Sequence, residues 1–184
     1  MIKKFPNAFC LGSFDPVHDG HIDMLRKASR YINGKIDIRI ANNEKNSKIP
    51  RELRVELFLD KIKDNGLKDK INVIENKSFF DLEISGYQTL ILGSDLVNNF
   101  NKKIIGRELK IFLAFQNYIV IDRPRSLYNK NTELNQESLR FLKNKILGDV
   151  LVLKGDSTLS STEIKNNKDL YLKDDFYKKI KDFL

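Results

Sequence analysis

A chain of 184 residues with 41% hydrophobic and 32% charged residues has a soluble globular balance, sized for a single α/β domain over 1–184 with a buried core. One cysteine excludes an internal disulfide framework and fits a reducing, cytoplasmic setting; no stretch approaches membrane-span length, and the short apolar run after Lys3 and Lys4, broken by Pro6 and Asn7, does not read as a signal peptide. The net charge of +8 invites nucleic acid, but the lysines are interleaved with acids and no recognition-module signature is present, so the charge suits a pocket for anionic nucleotides better.

Ala8-Phe9-Cys10-Leu11 is an apolar run that ends in Gly12-Ser13 and reads as a strand. Asp15-Pro16 then forces an extended, turning backbone. A helical pattern starts after Gly20, with Ile22, Leu25, Ala28 and Ile32 on one side, and stops at Asn33-Gly34. His18 and His21, the only histidines in the sequence, flank the start of that helix. Their spacing lets both rings address one target over a helix N-terminus, where free N–H groups favour an anion. The same pair could be ordinary surface residues. Their company of two glycines, an Asp-Pro and a strand-to-helix junction favours a phosphate-handling loop. As a metal pair they lack a third ligand nearby.

Lys35 to Ala41 alternates Ile36, Ile38 and Ile40 with Lys35, Asp37 and Arg39, a second strand. Strand, helix, strand implies a right-handed parallel crossover, and ligands of such sheets bind beyond the strands' carboxyl ends. A polar loop with Lys45 and Lys48 follows, then a helix over Arg51–Lys63. Lys45, Lys48 and Arg54 could each reach an anion or simply be solvated or salt-bridged. Ile71–Glu75 reads as a third strand, and Lys77–Tyr87 as a short helix or a packed loop. Thr89–Leu92 is a fourth strand ending in Gly93-Ser94-Asp95, where Asp95 could accept from a ribose hydroxyl or cap the next helix.

Leu96–Phe115 is expected to be helical in pieces. Tyr118–Asp122 is a fifth strand, closed by Arg123-Pro124-Arg125, with Arg123 placed to bind phosphate or an acidic group. A loop over Ser126–Asn131, a helix over Leu134–Ile146 and a last strand over Asp149–Leu153 follow. Ser160 and Glu163 then have capping-box spacing, so a helix begins with Ser161 and Thr162 at its mouth: a well-capped helix or a second phosphate cradle. Asp174–Leu184 reads as a closing amphipathic helix.

Two of these stretches carry a family resemblance. Gly12-Ser13-Phe14-Asp15-Pro16-Val17-His18-Asp19-Gly20-His21 resembles the opening H-x-G-H signature of the nucleotidylyltransferase superfamily, and Leu159-Ser160-Ser161-Thr162-Glu163-Ile164-Lys165 resembles its late I-S-S-T-x-I-R signature. They lie near the two ends of the sequence, as in that family. Gly93-Ser94-Asp95 and Val120-Ile121-Asp122-Arg123-Pro124 further resemble the central G-x-D and R-P segments of nicotinate or nicotinamide mononucleotide adenylyltransferases. Phosphopantetheine adenylyltransferases share the G-S-F-D-P opening, but their R-G-L-R segment is missing; cytidylyltransferases carry R-T where Ser157-Thr158 stand here. Lys165 replaces the family arginine, and Phe100 stands near the place of a base-stacking tryptophan.

The resemblance implies a doubly wound, Rossmann-like fold with a mainly parallel sheet of five to six strands. It implies transfer of AMP from ATP to nicotinate (or nicotinamide) mononucleotide in NAD biosynthesis, with Mg²⁺ arriving on ATP. The roles implied are His18 and His21 as catalytic donors to the triphosphate, and Gly12, Ser13, Phe14, Ser161, Thr162 and Lys165 at the ATP phosphates. Asp95, Arg123, Lys48 and Arg54 would serve the ribose or the acceptor. Another phosphate acceptor such as phosphopantetheine, or a non-catalytic nucleotide or nucleic-acid binder on the same fold, are the alternatives. No membrane partner is expected, and a homo-oligomer is left open.

Overall fold

Strand and helix alternate along the sequence, as the periodicity predicts. The computed structural model describes residues 3–42, 47–74, 86–100, 112–124 and 133–184. The strands are β1 (Ala8–Gly12), β2 (Ile36–Ile40), β3 (Ile71–Val73), β4 (Thr89–Gly93), β5 (Asn117–Asp122) and β6 (Val150–Lys154). All neighbours pair in parallel, in the order β3-β2-β1-β4-β5-β6. The polypeptide winds outward from β1 to β3, then returns to place β4 on the other side of β1. The topological switch therefore falls between β1 and β4, where ligands of such sheets bind.

Both faces of the sheet are covered, because side chains alternate along each strand. Ala8, Cys10, Ile91, Ile119 and Ile121 face one core with α1 (Asp19–Ser29), α2 (Arg51–Asp64) and the C-terminal residues Ile164, Tyr177 and Ile180. Phe9, Leu90, Leu92, Tyr118 and Val120 face the other, with Val97 of α3 (Ser94–Val97) and Leu139 and Leu142 of α4 (Gln136–Lys145). This is the expected doubly wound arrangement, with six strands. No helix among the described residues is long and apolar enough to cross a membrane.

Local departures have physical reasons. Arg39, on the polar side of the β2 alternation, is buried, because β2 is an interior strand covered on both faces. α1 ends at Ser29, before Ile32, which instead pairs with Phe5 in an isolated bridge. Gly34 follows with φ +86°, a left-handed conformation that suits glycine. The expected closing helix is broken into α7 (Asp175–Lys178) and a 3₁₀ turn (Lys181–Phe183), with Ile180 between them at φ −119°, outside the helical region. Between β6 and α7 lie α5 (Ser161–Asn166) and α6 (Lys168–Tyr171). Of the expected helical pieces over Leu96–Phe115, α3 covers the start; residues 101–111 lie outside the described set, as do Lys45, 75–85, Arg125 and 126–132.

Candidate active site

The opening loop is built by close packing. Phe14 takes φ +47° and is buried, its ring against Phe58 at 4.7 Å and His21 at 4.8 Å between centroids. A Cβ on Gly12 would lie 2.8 Å from the Phe14 ring, so the glycine is what lets that ring fold back under the strand end. Gly20 is equally constrained: a Cβ there would sit 2.9 Å from the His18 ring and 3.0 Å from the Leu159 carbonyl oxygen. The glycine between the histidines is thus where the late segment approaches the early loop.

His18 is the N-cap of α1, and the two imidazoles form a reciprocal cap. His18 Nδ1 accepts from Gly20 N at 3.1 Å, and His21 Nδ1 accepts from His18 N at 3.2 Å. The rings lie 3.8 Å apart at 32°. A neutral imidazole that accepts at Nδ1 carries its proton on Nε2, so this network assigns both rings the same tautomer, with an Nε2–H donor remaining. Burial, reinforced by the Arg123 and Lys61 charges, pushes His18 down to about 3. His21 is held well below its ordinary 6.5 by burial, then by His18 and Arg123. Both rings are therefore neutral near pH 7.

A cleft of about 350 Å³ opens over the carboxyl ends of β1, β4 and β5. One wall carries Gly12, Ser13, Phe14, His18 and His21; Gly93, Asp95 and Arg123 stand on the sheet side; Ser160, Ser161 and Thr162 close the third. The early and late signatures thus meet around one space. Gly93 is the N-cap of α3, so Asp95 is not the cap; its carboxylate oxygen lies 2.4 Å from where a Gly93 Cβ would be. Arg123 anchors its backbone N–H on Ser94 Oγ at 3.0 Å, while its Nε is buried without a hydrogen-bond partner. Among the described residues lining the cleft, Arg123 is the one lysine or arginine.

Three residues expected at the ligand sit elsewhere. Lys165 does not line the cleft: its ammonium pairs with Asp15 at 2.6 Å. Arg54 is buried, and its guanidinium donates to the carbonyls of Ile49, Ser13 and Ala41, so it braces the loops from beneath. Lys48 is exposed and also outside the lining. Phe100 is fully buried against Phe112, 5.4 Å between centroids, and has no face to offer a base. Lys45 lies outside the described residues.

Other contributors lie outside the motifs or read in the sequence only as structural. Cys10, Met24, Ile91, Leu92 and Leu96 give the cleft an apolar floor, and burial raises the Cys10 thiol to about 12, leaving it protonated. Ser160, read as a cap, lines the cleft as well as accepting from Glu163 N at 3.1 Å. Strand-end positions carry the signal for the floor, since they face the switch point once the strand order is known.

Comparison with known proteins accords with this geometry. The cytidylyltransferase-like family matches residues 9–167. The phosphopantetheine adenylyltransferase of Clavibacter michiganensis subsp. michiganensis is 39% identical over 62 residues, which is 34% of this protein and 38% of that one. A second, from Lactococcus lactis subsp. cremoris, is matched over 45% of its length, so the sequence spans under half of these two curated relatives. The phosphopantetheine adenylyltransferase of Hahella chejuensis is 24% identical over 151 residues, 80% of this protein and 84% of that one. Among solved structures, a Plasmodium falciparum nicotinic acid mononucleotide adenylyltransferase complexed with APC superposes with a TM-score of 0.69 at 20% identity, covering 97% of this protein and 98% of that one. At that identity the likeness establishes the fold.

Proposed function

Since the chain belongs to the cytidylyltransferase-like family, we propose that it is an adenylyltransferase, moving AMP from ATP to the phosphate of a small acceptor and releasing pyrophosphate. The observation that carries this reading is the pair of neutral imidazoles, each tied at Nδ1 and carrying an Nε2–H donor, in one cleft with Thr162 and Arg123. An acceptor phosphate oxygen attacks the α-phosphorus, the bond from that phosphorus to the bridging oxygen breaks, and pyrophosphate departs with the electron pair. The nucleophile is already anionic, so no protein base is needed. The protein's task is to position the reactants and stabilise charge on the α-phosphoryl oxygens.

His18 and His21 donate from Nε2 to the triphosphate. Donors fixed in advance by the loop act without reorganisation. The Gly12–Phe14 backbone and the Ser161 and Thr162 hydroxyls border the phosphates. ATP is taken as its Mg²⁺ complex. The histidines are poorly suited to hold that ion, because Nδ1 is occupied and Nε2 is protonated.

For the acceptor we favour nicotinate or nicotinamide mononucleotide, which would place the protein in NAD biosynthesis. Asp95 and Arg123 stand together at the ends of β4 and β5, within the segments that resemble that enzyme class. Phosphopantetheine is the second reading, favoured by curated relatives such as the Hahella chejuensis protein. Pyrophosphate release with ATP, Mg²⁺ and each acceptor in turn separates them. The expected result is turnover with a pyridine mononucleotide; turnover with phosphopantetheine alone replaces that acceptor. Steep salt-dependent nucleic-acid binding without turnover overturns the catalytic reading.

A further inference from the structure

Three consecutive residues of the early loop are each held by one side chain from the segment that follows β6. Lys165 Nζ donates to Asp15 Oδ2 at 2.6 Å, Ser161 Oγ to the Pro16 carbonyl at 3.1 Å, and the Tyr177 hydroxyl to the Val17 carbonyl at 3.4 Å. The next residue is His18. Lys61 in turn pairs with Asp19 at 2.9 Å while lying over the rings of Phe176, at 4.7 Å, and Tyr177, at 5.9 Å.

We infer that the C-terminal segment from Ser161 to Tyr177 is a clasp on the histidine loop, in which Lys165 and Tyr177 are positioning residues acting through Asp15 and Val17 rather than phosphate ligands. The Asp15 carboxyl group is buried, and its Oδ1 has no hydrogen-bond partner. Among the described residues, Lys165 is the one cation within ion-pair distance of it. Moving Lys165 to a phosphate would strip this buried carboxyl group of its one direct ion pair among the described residues, leaving only the weaker pull of the Arg54 charge, a loss that costs more than a surface pair returns. Tyr177 is 3% exposed, and burial raises its phenol, so the hydroxyl remains a donor inside the core. None of the strands takes part in these contacts, so the sheet alone does not fix where the imidazoles point.

The inference rests on the reading above only for what the histidines do to ATP. Its test has a readout independent of activity, because the protein has 2 histidines and so two imidazole spin systems. In ¹⁵N-labelled protein at pH 7, Lys165→Met and Tyr177→Phe should each displace the ring-nitrogen signals of both histidines. They should also lower kcat by about 10-fold or more, with the KM for ATP changed less than about 3-fold, as small misplacement of catalytic groups does. Lys165→Arg should restore the ring signals and most of kcat. Asp15→Asn added to Lys165→Met should bring no further loss, because the two act as one unit.

Tyr177→Phe removes a single oxygen and carries the test if Lys165→Met does not fold. Unchanged ring signals with a raised KM for ATP in Lys165→Met, and additive loss with Asp15→Asn, would make Lys165 a phosphate ligand and overturn the clasp. If the unmodified protein released no pyrophosphate with any acceptor, the adenylyltransferase reading would fail while the ring signals still decided the positioning role.

Discussion

Two of the helices that begin at the cleft, α1 and α5, begin differently. α1 opens with a reciprocal cap in which both partners are imidazoles: each ring commits one nitrogen to the loop and keeps the other as a donor. α5 opens with a one-sided cap. Ser160 accepts from Glu163 N, but the Glu163 carboxylate accepts instead from the Tyr171 hydroxyl. The basic group of α5, Lys165, then turns to the other loop. One region keeps a ring donor free on each histidine lining the cleft because its structural bonds use the opposite ring atom. The other region's charge is committed to holding the first in place.

The largest expected effect falls on the first region. His21→Ala removes an Nε2–H donor and half of the cap, and kcat should drop at least about 100-fold, in line with loss of one transition-state donor. Single-turnover rates would check it; unchanged turnover would dissolve the contrast, since neither region would then supply the chemistry. Gly20→Ala tests the seam between the two. The added methyl meets the His18 ring and the Leu159 carbonyl, so destabilisation of about 1–3 kcal/mol is expected from overpacking, read from urea midpoints.

Acid should sharpen the comparison further. Above pH 6.5 neither the folded nor the unfolded protein binds a proton at His18. Below it the unfolded protein takes up a proton that the folded one refuses down to about pH 3. Stability therefore falls as pH drops, by about 1.4 kcal/mol per pH unit from this residue, or about 2 kcal/mol at pH 5. His18→Gln should flatten that part of the slope, and paired urea curves at pH 7 and pH 5 measure the difference. Equal slopes would mean that the ring is solvated.

The order of elements was legible because an interior parallel strand and an amphipathic helix leave different periods in the sequence. Ile36, Ile38 and Ile40 marked β2 by alternation, yet the same alternation hid the burial of Arg39, which depends on what covers the second face. The meeting of His21 and Thr162 was legible through two signatures at opposite ends of the sequence. The destinations of Lys165 and Arg54 were not. Long flexible cations go to whichever acceptor folding brings near, and Asp15 and the Ser13 carbonyl are brought near only by tertiary structure. Phe100, near the place of a base-stacking tryptophan in the resembling class, faces the core, which its position in the sequence does not reveal.

The smallest effect concerns Ser160, and it separates the two caps most directly. Ser160 satisfies one N–H of a six-residue helix and receives no reciprocal bond from Glu163. Ser160→Ala should therefore cost about 1 kcal/mol, the ordinary value of a single N-cap. For a protein of this size that lowers Tm by about 2–4 °C. Ser160→Gly should cost only about a few tenths of a kcal/mol. A loss well above this range in a thermal melt would mean that the Ser160 side chain also supports the clasp on the histidine loop, making the late helix as tightly cross-linked as the early one.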